Sequence, residues 1–146
     1  MSAKIFVNLP VRDLKKSMAF FTRLGFTFNP VFTDDNAACM VVSEDIYAML
    51  LTERFFKGFI PGKQVCDART SAEAILALAL DSRVDVDQMI RKAVAAGGAE
   101  YREAQDHGWM YERAFQDPDG HIWEMLYADM TAIPEEMKKA ASRVPA

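Results

Sequence analysis

Apolar and polar positions alternate through Ile5–Val11, with Ile5, Val7, Leu9 and Val11 on one side and Phe6, Asn8 and Pro10 on the other. A period of two predicts a β-strand. The period then lengthens. Leu14, Met18, Phe21 and Leu24 recur at helical spacing, Asp13 stands at an N-cap position, and Gly25 follows where a C′ residue belongs. Residues 26–34 read as a strand interrupted near Pro30. Asp34-Asp35-Asn36 reads as a turn, and residues 37–42 and 47–52 as two more strands. The predicted order is βαβββ.

Residues 54–71 break the pattern. Phe55, Phe56 and Phe59 precede Pro61-Gly62-Lys63, which predicts a connector with a short helical turn. Its aromatics read as anchors of the loop to the core, or alternatively as a binding lid. The first pattern then returns. Residues 75–80 form a strand, and Ser82 or Asp85 caps a helix carrying Val86, Met89, Ile90, Ala93 and Val94. Gly97-Gly98 stops that helix, and residues 99–103, 109–116 and 121–127 supply three strands. A repeated order of elements sets the architecture. The expectation is an α+β domain over residues 1–130, made of two βαβββ modules (1–53 and 72–130) that form a curved mixed sheet around a pocket. The tail, 131–146, reads as a terminal helix. Pro134, Glu135 and Glu136 suit its start, and Lys138 and Lys139 its end. In each first strand the aliphatic side should pack on helices. The mixed side, with Phe6 and Asn8 in one module and Ile75, Ala77 and Ala79 in the other, can line a cavity.

Composition narrows the function classes. The 146-residue chain has a net charge of −4 and no Lys/Arg cluster, which argues against nucleic acid as a partner. No apolar run reaches the roughly 18–20 residues of a membrane span, and no signal-like segment opens the chain. Cys39 and Cys66 have no metal-binding spacing and read as reduced thiols, which places the protein in the cytoplasm.

The chemistry concentrates in Phe115-Gln116-Asp117-Pro118-Asp119-Gly120-His121-Ile122-Trp123-Glu124-Met125. Asp117, Pro118 and Gly120 predict a tight turn, and the apolar flanks a β-hairpin. Glu124 is a lone carboxylate among apolar residues, so it needs a partner or a task. A simple hairpin register sets Phe115 opposite Ile122 and Arg113 opposite Glu124, with Tyr111 on the same side. Arg113 then either holds a ligand carboxylate or phosphonate, or forms a structural ion pair with Glu124; a bulge would turn it to the other face. His107 is either an acid or base oriented by Asp106 or a turn residue. His121, in the turn, is expected to face solvent. A rebuilt metal site would need Glu124 together with His107, His121, Asp106 or Glu112.

Three stretches carry a resemblance. They are Asn8-Leu9-Pro10-Val11-Arg12-Asp13-Leu14-Lys15-Lys16-Ser17-Met18-Ala19-Phe20-Phe21 with Leu24-Gly25-Phe26, then Val94-Ala95-Ala96-Gly97-Gly98-Ala99, and then the hairpin from Phe115 to Glu124. In this order, with the doubled βαβββ pattern, the chain resembles the vicinal oxygen chelate superfamily. That superfamily includes glyoxalase I, bleomycin-resistance proteins, fosfomycin-resistance enzymes and extradiol dioxygenases. The resemblance implies a homodimer. It puts the superfamily's metal-ligand positions on Phe6, Leu50, Ile75 and Glu124, of which only Glu124 can coordinate an ion. The expectation is therefore no metal centre and no other cofactor. Phe6, Asn8, Leu50, Ile75, Tyr111, Arg113 and Glu124 would line a pocket that sequesters a small organic molecule. The alternative is a lyase of glyoxalase type, with Glu124 as general base and Arg113, Asn8 or His107 stabilising the developing charge.

Overall fold

Asp13 caps the first helix as its position predicts, accepting a hydrogen bond from the Lys16 N–H at 3.0 Å. The computed structural model describes residues 1–143 and 145. Its first module runs β1 (Ile5–Val11), α1 (Leu14–Arg23), β2 (Thr27–Asn29), β3 (Ala37–Val41) and β4 (Ile46–Thr52). Pro30 does not merely interrupt a strand. It opens a 3₁₀ turn, Pro30–Phe32, capped by the Asn29 side chain. The connector begins with α2 (Glu53–Lys57). The second module runs β5 (Ile75–Ala79), α3 (Arg83–Ala95), β6 (Ala99–Glu100), β7 (Gln105–Asp106), β8 (Met110–Gln116) and β9 (Ile122–Ala128). The strand expected at 99–103 is thus two short pieces, both paired with β8. Ser82 caps α3 by accepting from the Asp85 N–H. The tail forms α4 (Glu135–Ala141), with Pro134 at the cap position. Val144 and Ala146, also part of the expected tail, lie outside the described residues.

The α+β expectation holds, with two mixed sheets. The strand order is β1-β4-β3-β2 in one and β5-β9-β8-β6 in the other. In each, the first strand runs parallel to the last and leaves its outer edge uncovered. The helix-facing sides of both sheets share one core. Leu9, Val11, Met40 and Leu50 from the first sheet join Phe115, Trp123 and Met125 from the second, with α1 and α3 between. Phe21 meets the Trp123 indole edge-on at 5.2 Å between centroids. Helices therefore occupy the middle, and each sheet turns its other face outward. Among the described residues no helix is long and apolar enough to cross a membrane.

The β8–β9 turn locks the two modules together. Asp117 and Asp119 are only 5% and 6% exposed. Asp117 accepts from the N–H groups of Asp119 and His121 and from the Trp123 indole N–H. Burial pushes the Asp117 carboxyl above its usual range. Asp119 reaches into the other module, accepting from the Arg12 N–H at 2.9 Å and the Ser17 hydroxyl at 3.1 Å. The His121 ring is half-buried rather than free in solvent. Its Nε2 lies 2.7 Å from the Pro10 carbonyl oxygen, where an N–H on that nitrogen donates. Asp119→Ala removes the acceptor of a backbone N–H and of a buried hydroxyl, which should cost about 1–3 kcal/mol. Ser17→Ala, which takes the donor from one carboxylate oxygen but keeps the Arg12 N–H on the other, should cost less. Urea denaturation of both variants checks this order; equal midpoints for Asp119→Ala and wild type would contradict it.

Candidate functional site

The hairpin register decides which side chains meet. Asp117 and His121 face each other, with the Asp117 N–H donating to the His121 carbonyl, so residues 118–120 form a three-residue loop. Gly120 supplies the positive φ, +94°, that such a loop needs. Ala114 consequently pairs with Glu124, and Arg113 with Met125. This is one residue away from the expected register, and a one-residue slip reverses every side chain.

Arg113 and Tyr111 thus leave the Glu124 side and point toward α3. Arg113 donates to Asp87 at 2.7 Å and to Glu100 at 2.8 Å, while the Tyr111 hydroxyl donates to Asp87 at 2.8 Å. Burial opposes the Asp87 charge, but hydrogen bonds from Arg113 and Tyr111 outweigh it and hold the carboxyl below its ordinary range. Burial and the Asp87 contact together push the Tyr111 hydroxyl up. These three residues tie a helix to a sheet. Leu50 is also turned inward. It pairs with Leu9 and Ala38 and is fully buried in the shared core, so it lines no open face.

Phe6, Asn8 and Ile75 do lie on the outward faces. Phe6 is 47% exposed and stacks on Tyr47 at 4.6 Å, and Ile75 is 53% exposed. Asn8 donates to the Phe6 carbonyl at the uncovered edge of β1. His107 sits exposed in a turn. Asp106 does not orient it, because both Asp106 oxygens are held by Arg83 at 2.8 Å. That contact and the Gly108 N–H keep the Asp106 carboxyl far below the usual range.

Glu124 does have a partner. Its cross-strand neighbours are Ala77 on β5 and Ala114 on β8, and their small side chains leave space beside it. Arg102, just past β6, fills that space. Its Nη2 donates to Glu124 Oε2 at 2.6 Å and lies 3.4 Å from Glu112 Oε1. The Glu124 hydrogen bond raises the Arg102 guanidinium further above its already high range. No periodicity marked Arg102, because it lies in an irregular segment 22 residues from Glu124.

The residues do not fit the divalent ion that the resemblance implies. Phe6, Leu50 and Ile75 carry no donor atom, and a dication at Glu124 would meet the Arg102 charge. Among the described residues, no three His, Cys, Asp or Glu side chains gather to hold one.

A crevice of about 430 Å³ opens along the uncovered edge of β1. Val7, Leu9, Phe56, Ile60, Ala74 and Ile122 make it apolar, while Asn8, Lys63 and His121 supply polar groups. The connector roofs it. Arg12 holds Asp67 at 2.7 Å, and the Ala68 carbonyl would lie 2.7 Å from a Cβ at Gly120. The Arg69 N–H and side chain, with Arg12, lower the Asp67 pKa to about 2. Phe55, Phe56 and Phe59 do not join the shared core. Phe56 faces this crevice, and Phe55 and Phe59 line a second hollow with Asn8, Met49 and Leu51.

No curated protein sequence matches the chain. Solved structures do. A hypothetical protein of S. aureus is 26% identical, with a TM-score of 0.73, over 88% of this chain and 95% of its own. A glyoxalase-related enzyme from Fulvimarina pelagi is 23% identical, with a TM-score of 0.72, over 87% and 88% of the two chains. TnmS3, an antibiotic binding protein from Streptomyces sp. CB03234, is 20% identical, with a TM-score of 0.62, over 88% and 97%. Likeness at these identities is likeness of fold. The sequence itself matches the Glyoxalase/Bleomycin resistance protein/Dioxygenase superfamily over residues 5–125, nearly all of both modules, and the chain belongs to that family.

Proposed function

We propose that this protein binds a small organic molecule in the apolar crevice beside β1, without a divalent metal centre, and works as a homodimer in the cytoplasm. The observation that carries the reading is the crevice itself. Its volume of about 430 Å³ falls in the range of small-molecule sites, roughly 300–1,000 Å³, and an apolar wall with a few polar groups is their usual composition. Binding by a protein of this fold has a parallel in TnmS3, described as an antibiotic binding protein. Lyase chemistry finds less support. Its base would be Glu124, and that carboxylate is already engaged by Arg102 at 2.6 Å. Both cysteines are free thiols, which suits a reducing compartment.

The arrangement of the shared core supports the dimer reading. With the helices in the middle, the sheet faces of one chain point away from each other and leave Phe6 and Ile75 in water. A second copy would cover them and close each half-open cavity.

A thermal-shift screen with aromatic antibiotics, thiol conjugates and small keto acids should find ligands that raise the melting temperature. Ala74→Trp, which fills the crevice, should abolish that rise, while Glu124→Gln should leave it largely intact. A rise unaffected by Ala74→Trp would place binding elsewhere, and turnover of a thiol conjugate lost in Glu124→Gln would favour the lyase. Sedimentation should give a dimer for the wild type and a monomer for the double variant Phe6→Glu, Ile75→Lys. A monomeric wild type would overturn the dimer.

A further inference from the structure

We infer that Arg102 is a built-in replacement for the divalent ion of this family, a cation tethered to the chain at the one carboxylate that could still have held a metal. The inference deepens the metal-free part of the proposed function and makes no use of the crevice.

Three observations carry it. Glu124 lies on the helix-free face of the second sheet between Ala77 and Ala114, so its own neighbours cannot cover its charge. Arg102 does so with a single nitrogen. Nη2 sits 2.6 Å from Glu124, a short charge-assisted hydrogen bond, and 3.4 Å from Glu112, a long one. The rest of the guanidinium remains available. Among the described residues Nε and Nη1 make no hydrogen bond, and no buried side-chain nitrogen or oxygen lacks a partner, so those N–H groups reach solvent above the sheet.

The chemistry of the face changes accordingly. A divalent ion held by carboxylates keeps coordination positions for a ligand's oxygen and stabilises an oxyanion. A guanidinium between two carboxylates has its charge cancelled and offers N–H groups instead. It can orient an uncharged carbonyl or amide oxygen, but it gives little help to a developing enediolate. Arg102 is thus a specificity-determining residue that fits this face for neutral oxygen acceptors.

The test is a set of melting curves in low-millimolar guanidinium chloride or MnCl₂, against NaCl of equal ionic strength. The proteins compared are wild type, Arg102→Ala, Glu124→Gln, and Arg102→Ala combined with Glu124→Gln. Arg102→Ala should melt below wild type, and either added cation should raise it by roughly 2–4 °C. Wild type should show no such rise, and the double variant should lose it. Should Arg102→Ala fail to fold, Arg102→Gln, which keeps part of the stem and loses the charge, goes through the same titrations. Two results overturn the inference: a wild-type rise with Mn²⁺ that Glu124→Gln abolishes, or Arg102 variants that respond to both cations as the wild type does. The crevice screen can succeed or fail whichever result is obtained, because Ala74 and Arg102 belong to different surfaces.

Discussion

Asp119 crosses from the second module to the first, and the docking of the two modules is built around that crossing. A carboxylate so deeply buried is costly unless its oxygens are satisfied. Here they are satisfied by the Arg12 N–H and the Ser17 hydroxyl, at the junction of β1 and α1. Asp117, on the same turn, is satisfied from its own strand ends and by the Trp123 indole. Arg12 is the nearest cation to Asp119, at 3.9 Å, so hydrogen bonding rather than ion pairing stabilises the turn. One tight turn therefore sets the hairpin register, orients Trp123 into the core and docks one module on the other.

With the modules docked through their helix faces, the remaining surfaces follow. The outward face of the second sheet holds Glu124, and the uncovered edge of β1 borders the crevice. The connector is drawn across this edge because Arg12, next to the Asp119 contact, also holds Asp67. The same junction thus fixes both the modules and the roof of the cavity. On the other side, Arg113, Tyr111 and Asp87 bind α3 to its sheet. Their polar groups are spent on packing, which leaves Arg102 as the cation at Glu124.

Much of this was legible along the chain. Alternation in Ile5–Val11 and the helical stripe after Asp13 locate β1 and α1, and their return after residue 72 reveals the duplication. The Asp-Pro-Asp-Gly turn was also readable, because each residue type has a local reason to be there. What it does beyond its own turn was not. That Asp119 would reach Arg12 and Ser17, more than a hundred positions away, leaves no periodic trace. The strand at 99–103 was read as continuous because composition does not mark where a ladder breaks.

Local sequence determined the elements, their order, the turn and the isolation of Glu124 among apolar neighbours, since these depend on spacing and on residues within a few positions of one another. Tertiary structure decided which side chains from different strands share a face. Loop length shifted β8 by one residue, which sent Tyr111 and Arg113 to the helices, and the pairing with Leu9 and Ala38 drew Leu50 into the core. It also brought Arg102 to Glu124. A contact between distant segments is set by strand register and module docking, and neither can be counted along the chain.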